Sequence, residues 1–313
     1  MLEKLFKLKE KGTTVWIEFI AGLSTFMAMS YIIFVNPNIL SSTGMDYGAV
    51  YTATILSSVI ATLITGLYAN VPYAQSTGLG LNALFTYTLC GSLGFTWQQS
   101  LAMVCICGII NIFITVTSVR KKVLKAMPTF MQEAITVGIG LFITYIGVKN
   151  AGLIEFAVSK VTDGVANASD VVPQIATFNN ASVILSLIGL FITSILVSKK
   201  NKGAYILGII ITTLIGIPMG VTKLPDFSNY TILPSIEPTF LKLDFAGLLT
   251  AKAGFMVVFM TIFSLVLSDL FDTIGTFIGT GKKAGIFKVD EDGNMPKNLE
   301  RAMITDSVAT VIG

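Results

Sequence analysis

The chain has 313 residues, of which 53% are hydrophobic and 12% are charged. Because that charge content is about half of what a soluble domain carries, the composition excludes an ordinary soluble globular protein and predicts an all-α polytopic membrane protein embedded in a lipid bilayer. The formal net charge is only +3, and it gives no indication of a nucleic-acid partner.

Two residue types limit the available chemistry. No histidine occurs in the sequence, so any proton coupling would depend on carboxylates. The cysteines Cys90, Cys105 and Cys107 all lie in apolar segments, and we interpret them as small core residues. We therefore expect no metal and no cofactor.

The predicted elements begin with a basic, amphipathic N-terminus. This pattern predicts that residues 1–15 form a cytoplasmic segment with a short interfacial helix. The apolar stretch 16–40 is longer than the apolar part of a signal peptide and has no small-residue cleavage pattern, so we expect a retained first span. Seven further spans are predicted at residues 49–68, 75–91, 97–119, 129–148, 182–197, 204–220 and 253–280.

Loop charges support this count of eight spans. With the N-terminus in the cytoplasm, 16 of the 21 Lys and Arg residues fall in inner segments. The other 5 are Lys149, Lys160, Lys223, Lys242 and Lys252. This asymmetry is what the positive-inside rule predicts for a multi-pass protein of the cell membrane.

Three connecting segments carry fewer structural signals. Residues 150–181 and 221–252 are interpreted as outer surface loops and not as folded domains. The inner loop 282–301 contains DEDGN, but it lacks the spaced ligands of an EF-hand and is interpreted as a solvated turn. The apolar run 302–313 is shorter than the 20 or so residues that a span needs, so we expect a truncated ninth span, with a re-entrant end as the alternative.

The stretch SDLFDTIG, residues 268–275, holds the first chemical signal. Asp269 and Asp272 are one helical turn apart, so their carboxylates share a face of the eighth span. Ionisable residues at membrane depth are costly and indicate a functional site. The alternative is that both side chains extend to an interface or pair with a basic residue, although residues 254–280 contain no Lys or Arg.

The second signal is the third span, NVPYAQSTGLGLNALFTY. Pro72, Gly78 and Gly80 oppose a continuous helix, so we expect an extended entry that becomes helical near residues 80–83. A broken span is tolerated where a cavity or ligand satisfies the freed backbone groups. Close helix packing at the glycines is the alternative.

Asn82 follows this break and carries a neutral side chain that can both donate and accept hydrogen bonds. Asp269 could accept hydrogen bonds from ring N–H donors. Together these two residues indicate a neutral, flat, hydrogen-bonding solute, since an inorganic anion would require Arg or several free N–H groups.

Other polar residues receive less weight. Glu18 and Glu133 lie near cytoplasmic ends of their spans, where they can reach water. Asn111 could bridge two helices, the sequence NPN at 36–38 could be a helix end or a kink, and Asp306 cannot be placed.

Several spaced motifs resemble one known family, the adenine/guanine/hypoxanthine permease branch of the nucleobase-cation symporters in the xanthine/uracil permease superfamily. The resemblance covers essentially the whole chain. The motifs are EFIAGLSTFMAMSYIIFVNPNIL, STGLGLNALFTY, GIGLFITYIGVKNAG, KGAYILGIIITTLIG and SDLFDTIGTFIG.

The resemblance implies fourteen spans in two inverted seven-span repeats. Residues 16–119 and 253–281 would be core-domain spans and residues 129–220 gate-domain spans. Asp269 matches the substrate-binding acid, Asp272 its polar neighbour, and Asn82 the site asparagine of the third span, while backbone groups near Thr77 and Gly78 would line the site. The family's second binding glutamate, in the tenth span, has no counterpart in this sequence.

The expected function is import of a purine nucleobase (guanine, hypoxanthine or adenine) by proton symport with alternating access. Asp269 and Asp272 would carry the coupling proton, and a homodimer is left open. One alternative is a channel or anion exchanger of the same architecture. A remote one is an intramembrane aspartyl protease, which GLG followed by a polar residue suggests, although both aspartates lie on one helix.

Overall fold

The computed structural model describes residues 6, 8, 9, 12–117, 129–158, 161–162, 165–166, 171–201, 203–222, 233–250, 254–280 and 297–312. The chain divides into two compact units. One comprises Met1–Ile139 and Thr231–Gly313, and the other comprises Gly140–Tyr230. The residues predicted to form the functional site all lie in the first unit.

The first unit begins with three helices that follow one another closely. They are α1 (Val15–Met29), α2 (Ile32–Ser41) and α3 (Tyr47–Ile64), and α3 continues into a π-helical turn, Thr65–Ala69. The side chain of Asp46 caps α3 by accepting from the backbone N–H of Ala49 over 2.7 Å, which satisfies one of the free donors at the start of that helix. The α2 and α3 helices pack together.

The third span is broken, as the sequence predicts. Asn70 ends the preceding helix with φ of 54°, a left-handed conformation that Asn adopts more readily than most residues. Residues 70–78 are not helical. Gly78 has extended φ and ψ angles of −74° and 105°, and α4 begins directly after it at Leu79–Ala83. A π-helical segment, Leu84–Ser92, then completes the span.

Three further long helices complete the core of the first unit. They are α5 (Trp97–Val116), α10 (Phe255–Ile274), which continues as a π-helix over Gly275–Thr280, and α11 (Lys297–Ile312). A short helix, α9 (Phe245–Leu249), precedes α10. The α5 helix packs against both α10 and α11. Buried apolar side chains hold this arrangement together, among them Met103, Cys107 and Leu265.

The exposed face of α10 is apolar. Phe255, Phe259 and Phe263, spaced by four residues, are each more than half exposed. Val258, Leu265 and Asp269 on the other face are buried. A helix that shows apolar side chains to its surroundings while its buried face holds a carboxylate is typical of a membrane span.

The second unit, residues 140–230, contains the end of α6 (Thr129–Asn150), the helices α7 (Ala181–Ser198) and α8 (Ala204–Gly216), and four strands. The strands β1 (Ile154–Val158) and β4 (Val171–Ile175) pair antiparallel, as do β2 (Val161–Thr162) and β3 (Val165–Ala166). Residues 150–181, interpreted from the sequence as a surface loop, therefore contain short paired strands. The sequence did not predict this pairing, because apolar and polar residues alternate only weakly there.

The helices agree with the predicted spans to within a few residues. Five helical runs in the described part of the chain are long and apolar enough to cross a membrane: Val15–Ser41, Tyr47–Ala69, Trp97–Val116, Ala181–Ser198 and Phe255–Phe277. The α8 helix is apolar but shorter. The interfacial helix expected at the N-terminus and the DEDGN turn lie largely outside the described residues, and so does the side chain of Glu133.

Candidate functional site

A cavity of about 430 Å³ lies within the first unit, in the size range of small-molecule sites. It is bounded by α2, α3, the extended segment 73–78, α4, α5, α10 and α11. All five of the sequence-predicted site residues line this cavity: Thr77, Gly78, Asn82, Asp269 and Asp272. The tertiary structure therefore brings together what the sequence placed on two separate spans.

Asp269 lies on the buried face of α10 and is only 6% exposed. Asn111 of α5, 1% exposed, donates a hydrogen bond from Nδ2 to Asp269 Oδ2 over 2.6 Å. The same nitrogen lies 3.6 Å from Cys107 Sγ. A donor aimed at a buried carboxylate fixes its orientation, so Asn111 positions Asp269.

Asp272 lies one turn further along α10 and is less buried. Its Oδ2 atom lies 3.7 Å from the position that a β-carbon on Gly78 would occupy. Since Gly78 has no side chain, the backbone at the end of the extended segment faces the Asp272 carboxylate directly. The preceding residue, Thr77, has a buried hydroxyl oxygen, Oγ1, with no hydrogen-bond partner among the described residues.

Asn82 takes part in a chain of hydrogen bonds that joins three helices. Asn82 Nδ2 donates to Asn36 Oδ1, and Asn36 Nδ2 donates to Thr54 Oγ1 over 2.8 Å. Thr54 Oγ1 in turn donates to the carbonyl of Val50 over 2.7 Å. The Asn82 amide is therefore held in one orientation, with its nitrogen engaged and its carbonyl oxygen left as the group that can accept from a ligand.

Hydroxyl groups spaced by four residues on α3 hold the extended segment in place. Ser58 Oγ and Ser76 Oγ are 2.9 Å apart. Thr62 Oγ1 donates to the Gln75 carbonyl over 3.1 Å and accepts from the Gln75 N–H over 3.0 Å. These bonds satisfy backbone groups that would otherwise be unpaired in a broken span, which is the requirement for non-helical backbone at membrane depth.

The structure also places three residues whose role the sequence left unassigned. Asn36 and Asn111 are almost fully buried and position Asn82 and Asp269. Asp306 of α11 lines the cavity and accepts a hydrogen bond from Thr273 Oγ1. A polar residue inside an apolar helix was the available signal for each, but the sequence did not indicate which partner it would meet.

The electrostatic character of the cavity is acidic. Three carboxylates line it, from Asp269, Asp272 and Asp306, and no Lys or Arg is found among its lining residues in the described ranges. Hydroxyl and amide groups supply the rest of its polar surface. The same ranges hold no group of three or more His, Cys, Asp or Glu side chains arranged to bind a metal ion.

Comparison with known proteins identifies the family. A family model described as "Permease family" matches residues 17–313. The chain belongs to this permease family. Membership in it places the protein among transporters and not among enzymes, so the intramembrane protease alternative is wrong.

Similar permeases come from bacteria and an archaeon. A protein of Methanocaldococcus jannaschii named as a permease, MJ0326, is 42% identical over 312 residues, covering 100% of this chain and 67% of that protein. The adenine permease AdeP of Escherichia coli is 37% identical over 100% of this chain and 66% of its own length. The guanine/hypoxanthine permease PbuO of Bacillus subtilis is 34% identical over 99% of this chain and 68% of its own length.

These comparisons confirm the sequence-based assignment to the adenine and guanine/hypoxanthine permease branch. The chain spans about two thirds of the length of these relatives. The cavity between α3, α4 and α10 is thus a candidate substrate site of a membrane permease.

Proposed function

We propose that this permease imports purine nucleobases by proton symport with alternating access. The observation that carries the proposal is the cavity in which the Asp269 carboxylate and the Asn82 amide are both oriented by buried asparagines. Two relatives whose names state adenine and guanine/hypoxanthine as substrates support a nucleobase as the ligand.

The chemistry of the cavity fits a neutral heterocycle. Carboxylates accept hydrogen bonds from the N–H groups at the edge of a purine, and the Asn82 oxygen adds a neutral acceptor. Apolar side chains such as Phe85 and Leu265 line the same cavity and can cover the flat faces of the ring. An anion would meet three carboxylates here without a compensating cation, which disfavours an anion exchanger.

Proton coupling would be carried by Asp269 and Asp272. Neither residue has a histidine to exchange protons with, since the chain contains none. A carboxyl group that binds the base in one protonation state and releases it in the other links the two fluxes. No other co-transported group or cofactor is required by this scheme.

Alternating access would involve movement between a core formed by residues 16–119 and 253–281 and a gate formed by residues 129–220. This division, like a homodimeric assembly, is part of the proposal. The expected second binding acid would lie outside this sequence, on a partner span of the inverted repeat.

The decisive experiment is uptake of radiolabelled hypoxanthine and adenine by cells that express the complete protein, with and without the Asp269→Asn substitution. We expect saturable uptake that an uncoupler abolishes, and loss of most of it in the variant. The matched control is Asp46→Asn, because Asp46 is exposed and caps α3, a role that Asn fills equally well.

Undiminished, gradient-dependent uptake by the Asp269→Asn variant would contradict the role given to this acid. Uptake that does not saturate and is insensitive to the uncoupler would favour the channel alternative. No purine uptake by the unaltered protein would contradict the substrate class.

A further inference from the structure

Gln75 lies in the extended segment of the third span and lines the cavity. It is only 8% exposed. Its Nε2 atom is buried and has no hydrogen-bond partner in the described part of the chain. A buried amide nitrogen without an acceptor is rare in folded proteins and requires an explanation.

The described part of the fold uses the backbone of Gln75 and leaves its side-chain nitrogen unpaired. The hydroxyl of Thr62 forms hydrogen bonds with both the N–H and the carbonyl of Gln75, at 3.0 and 3.1 Å. The backbone of the residue is thus held and satisfied by α3, while the residue also lines the cavity. If Gln75 had a purely structural role, we would expect its side-chain amide to form hydrogen bonds with the protein.

A second unsatisfied group lies two residues further on. Thr77 Oγ1 is buried without a partner, and Thr77 lines the same cavity. Two unpaired polar side chains on one rigid segment, both beside one cavity, indicate that a ligand with hydrogen-bonding groups completes them.

We propose that Gln75 is a specificity-determining residue that donates a hydrogen bond from its side-chain amide to an acceptor on the bound nucleobase. The acceptor is an unprotonated ring nitrogen or an oxo group, because these are the sites on a purine that accept from an amide. The carboxylates of Asp269 and Asp272 then take the donor edge of the ring, and Gln75 takes its acceptor edge. The inference rests on the proposed function and assigns one further contact in that site.

The first test measures stability, which a purely structural role would change. Gln75→Met replaces the amide by an apolar side chain of similar length, and it removes no hydrogen bond that the side-chain nitrogen makes with the described residues. We expect thermal unfolding of the complete purified protein without ligand to be unchanged or shifted upward. By contrast, Thr62→Val should lower the unfolding temperature, since it leaves two backbone groups of Gln75 unpaired. A lower unfolding temperature for Gln75→Met would overturn the proposal.

The second test identifies which acceptor atom of the purine receives the hydrogen bond from Gln75. Competition against radiolabelled substrate would use the parent purine, its 1-deaza, 3-deaza and 7-deaza analogues, and purine without a 6-substituent. In the unaltered protein, the analogue that lacks the contacted acceptor should bind about 3- to 10-fold more weakly than the parent. In Gln75→Met the parent should weaken to the level of that analogue, so that the difference between them disappears.

The matched control is Gln174→Met, the same change at an exposed position on β4. This variant should bind the parent purine and each analogue with the same relative affinities as the unaltered protein. If the Gln75→Met variant also discriminates among all analogues as the unaltered protein does, the role of Gln75 is overturned while the nucleobase function stands. If the unaltered protein binds none of these purines, the proposed function fails, and the contact fails with it.

Discussion

Asn111 Nδ2 and Asp269 Oδ2 lie 2.6 Å apart, although the two residues are separated by 158 positions in the sequence. Both are buried, at 1% and 6% exposed. One belongs to α5 and the other to α10, whose apolar side chains pack into one core. A side chain of a neighbouring span therefore helps to orient the main acid of the candidate site.

Asn111→Leu should remove this orientation. Removing a hydrogen bond from a buried polar group costs about 1–3 kcal/mol, so we expect purine uptake to fall about 10-fold or more. Initial uptake rates over a range of substrate concentrations would measure the effect. Asn38→Leu is the matched control, since Asn38 is exposed and its side chain donates to the carbonyl of Phe34 on its own helix. Normal uptake by Asn111→Leu would contradict a positioning role.

Thr54→Val should disrupt the chain of hydrogen bonds that orients Asn82. The substitution leaves the buried Asn36 Nδ2 without the acceptor that it has now at 2.8 Å. Leaving such a group unpaired costs about 1–3 kcal/mol, so both the unfolding temperature and the substrate affinity should fall. The control is Thr25→Val on α1, where the exposed hydroxyl donates to the carbonyl of Ala21 on its own helix. Equal unfolding temperatures for the two variants would argue against the network.

Gly78→Ala should affect the site without affecting the fold. The φ and ψ angles of Gly78 are −74° and 105°, and alanine can adopt them. The added methyl group would lie 3.7 Å from Asp272 Oδ2 and would occupy space in front of that carboxylate. We expect a higher KM for uptake with an unchanged unfolding temperature. Gly22→Ala, which fills open space on α1, should change neither quantity, and a KM for Gly78→Ala equal to that of the unaltered protein would contradict this geometry.

Gly108→Ala should destabilise the contact between α5 and α11. A β-carbon at this position would lie 2.6 Å from Val311 Cγ2, so one helix must shift. Overpacking of this kind costs about 1–3 kcal/mol, and thermal unfolding in detergent would measure it. Adding Val311→Ala should restore part of the loss, because the backbone nitrogen of Val311 also lies 3.1 Å away. Gly138→Ala meets nothing within 4 Å and serves as the control.

The sequence alone predicted most of the helices and the break in the third span. Long apolar runs can satisfy their backbone groups in a membrane only by forming helices, so their bounds follow from local composition. Pro72 and Gly78 interrupt such a run for local reasons too, and α4 begins at Leu79 close to the predicted residues. Asp269 and Asp272 could equally be picked out as candidate site residues from the sequence, because a carboxylate in an apolar helix is costly wherever that helix lies.

Only the tertiary structure decided which polar groups meet. The contacts of Asn36 with Asn82, of Asn111 with Asp269 and of Thr273 with Asp306 join different helices. Helix rotation and packing determine these pairs, and an apolar helix gives little local signal of which face turns inward when its outer face is also apolar. The strands within residues 154–175 were not predicted for a related reason. Which segments pair depends on how the loop folds back on itself, and their sequences show little of this. Local chemistry thus fixed the helices and the acids, and packing between distant segments built the site around them.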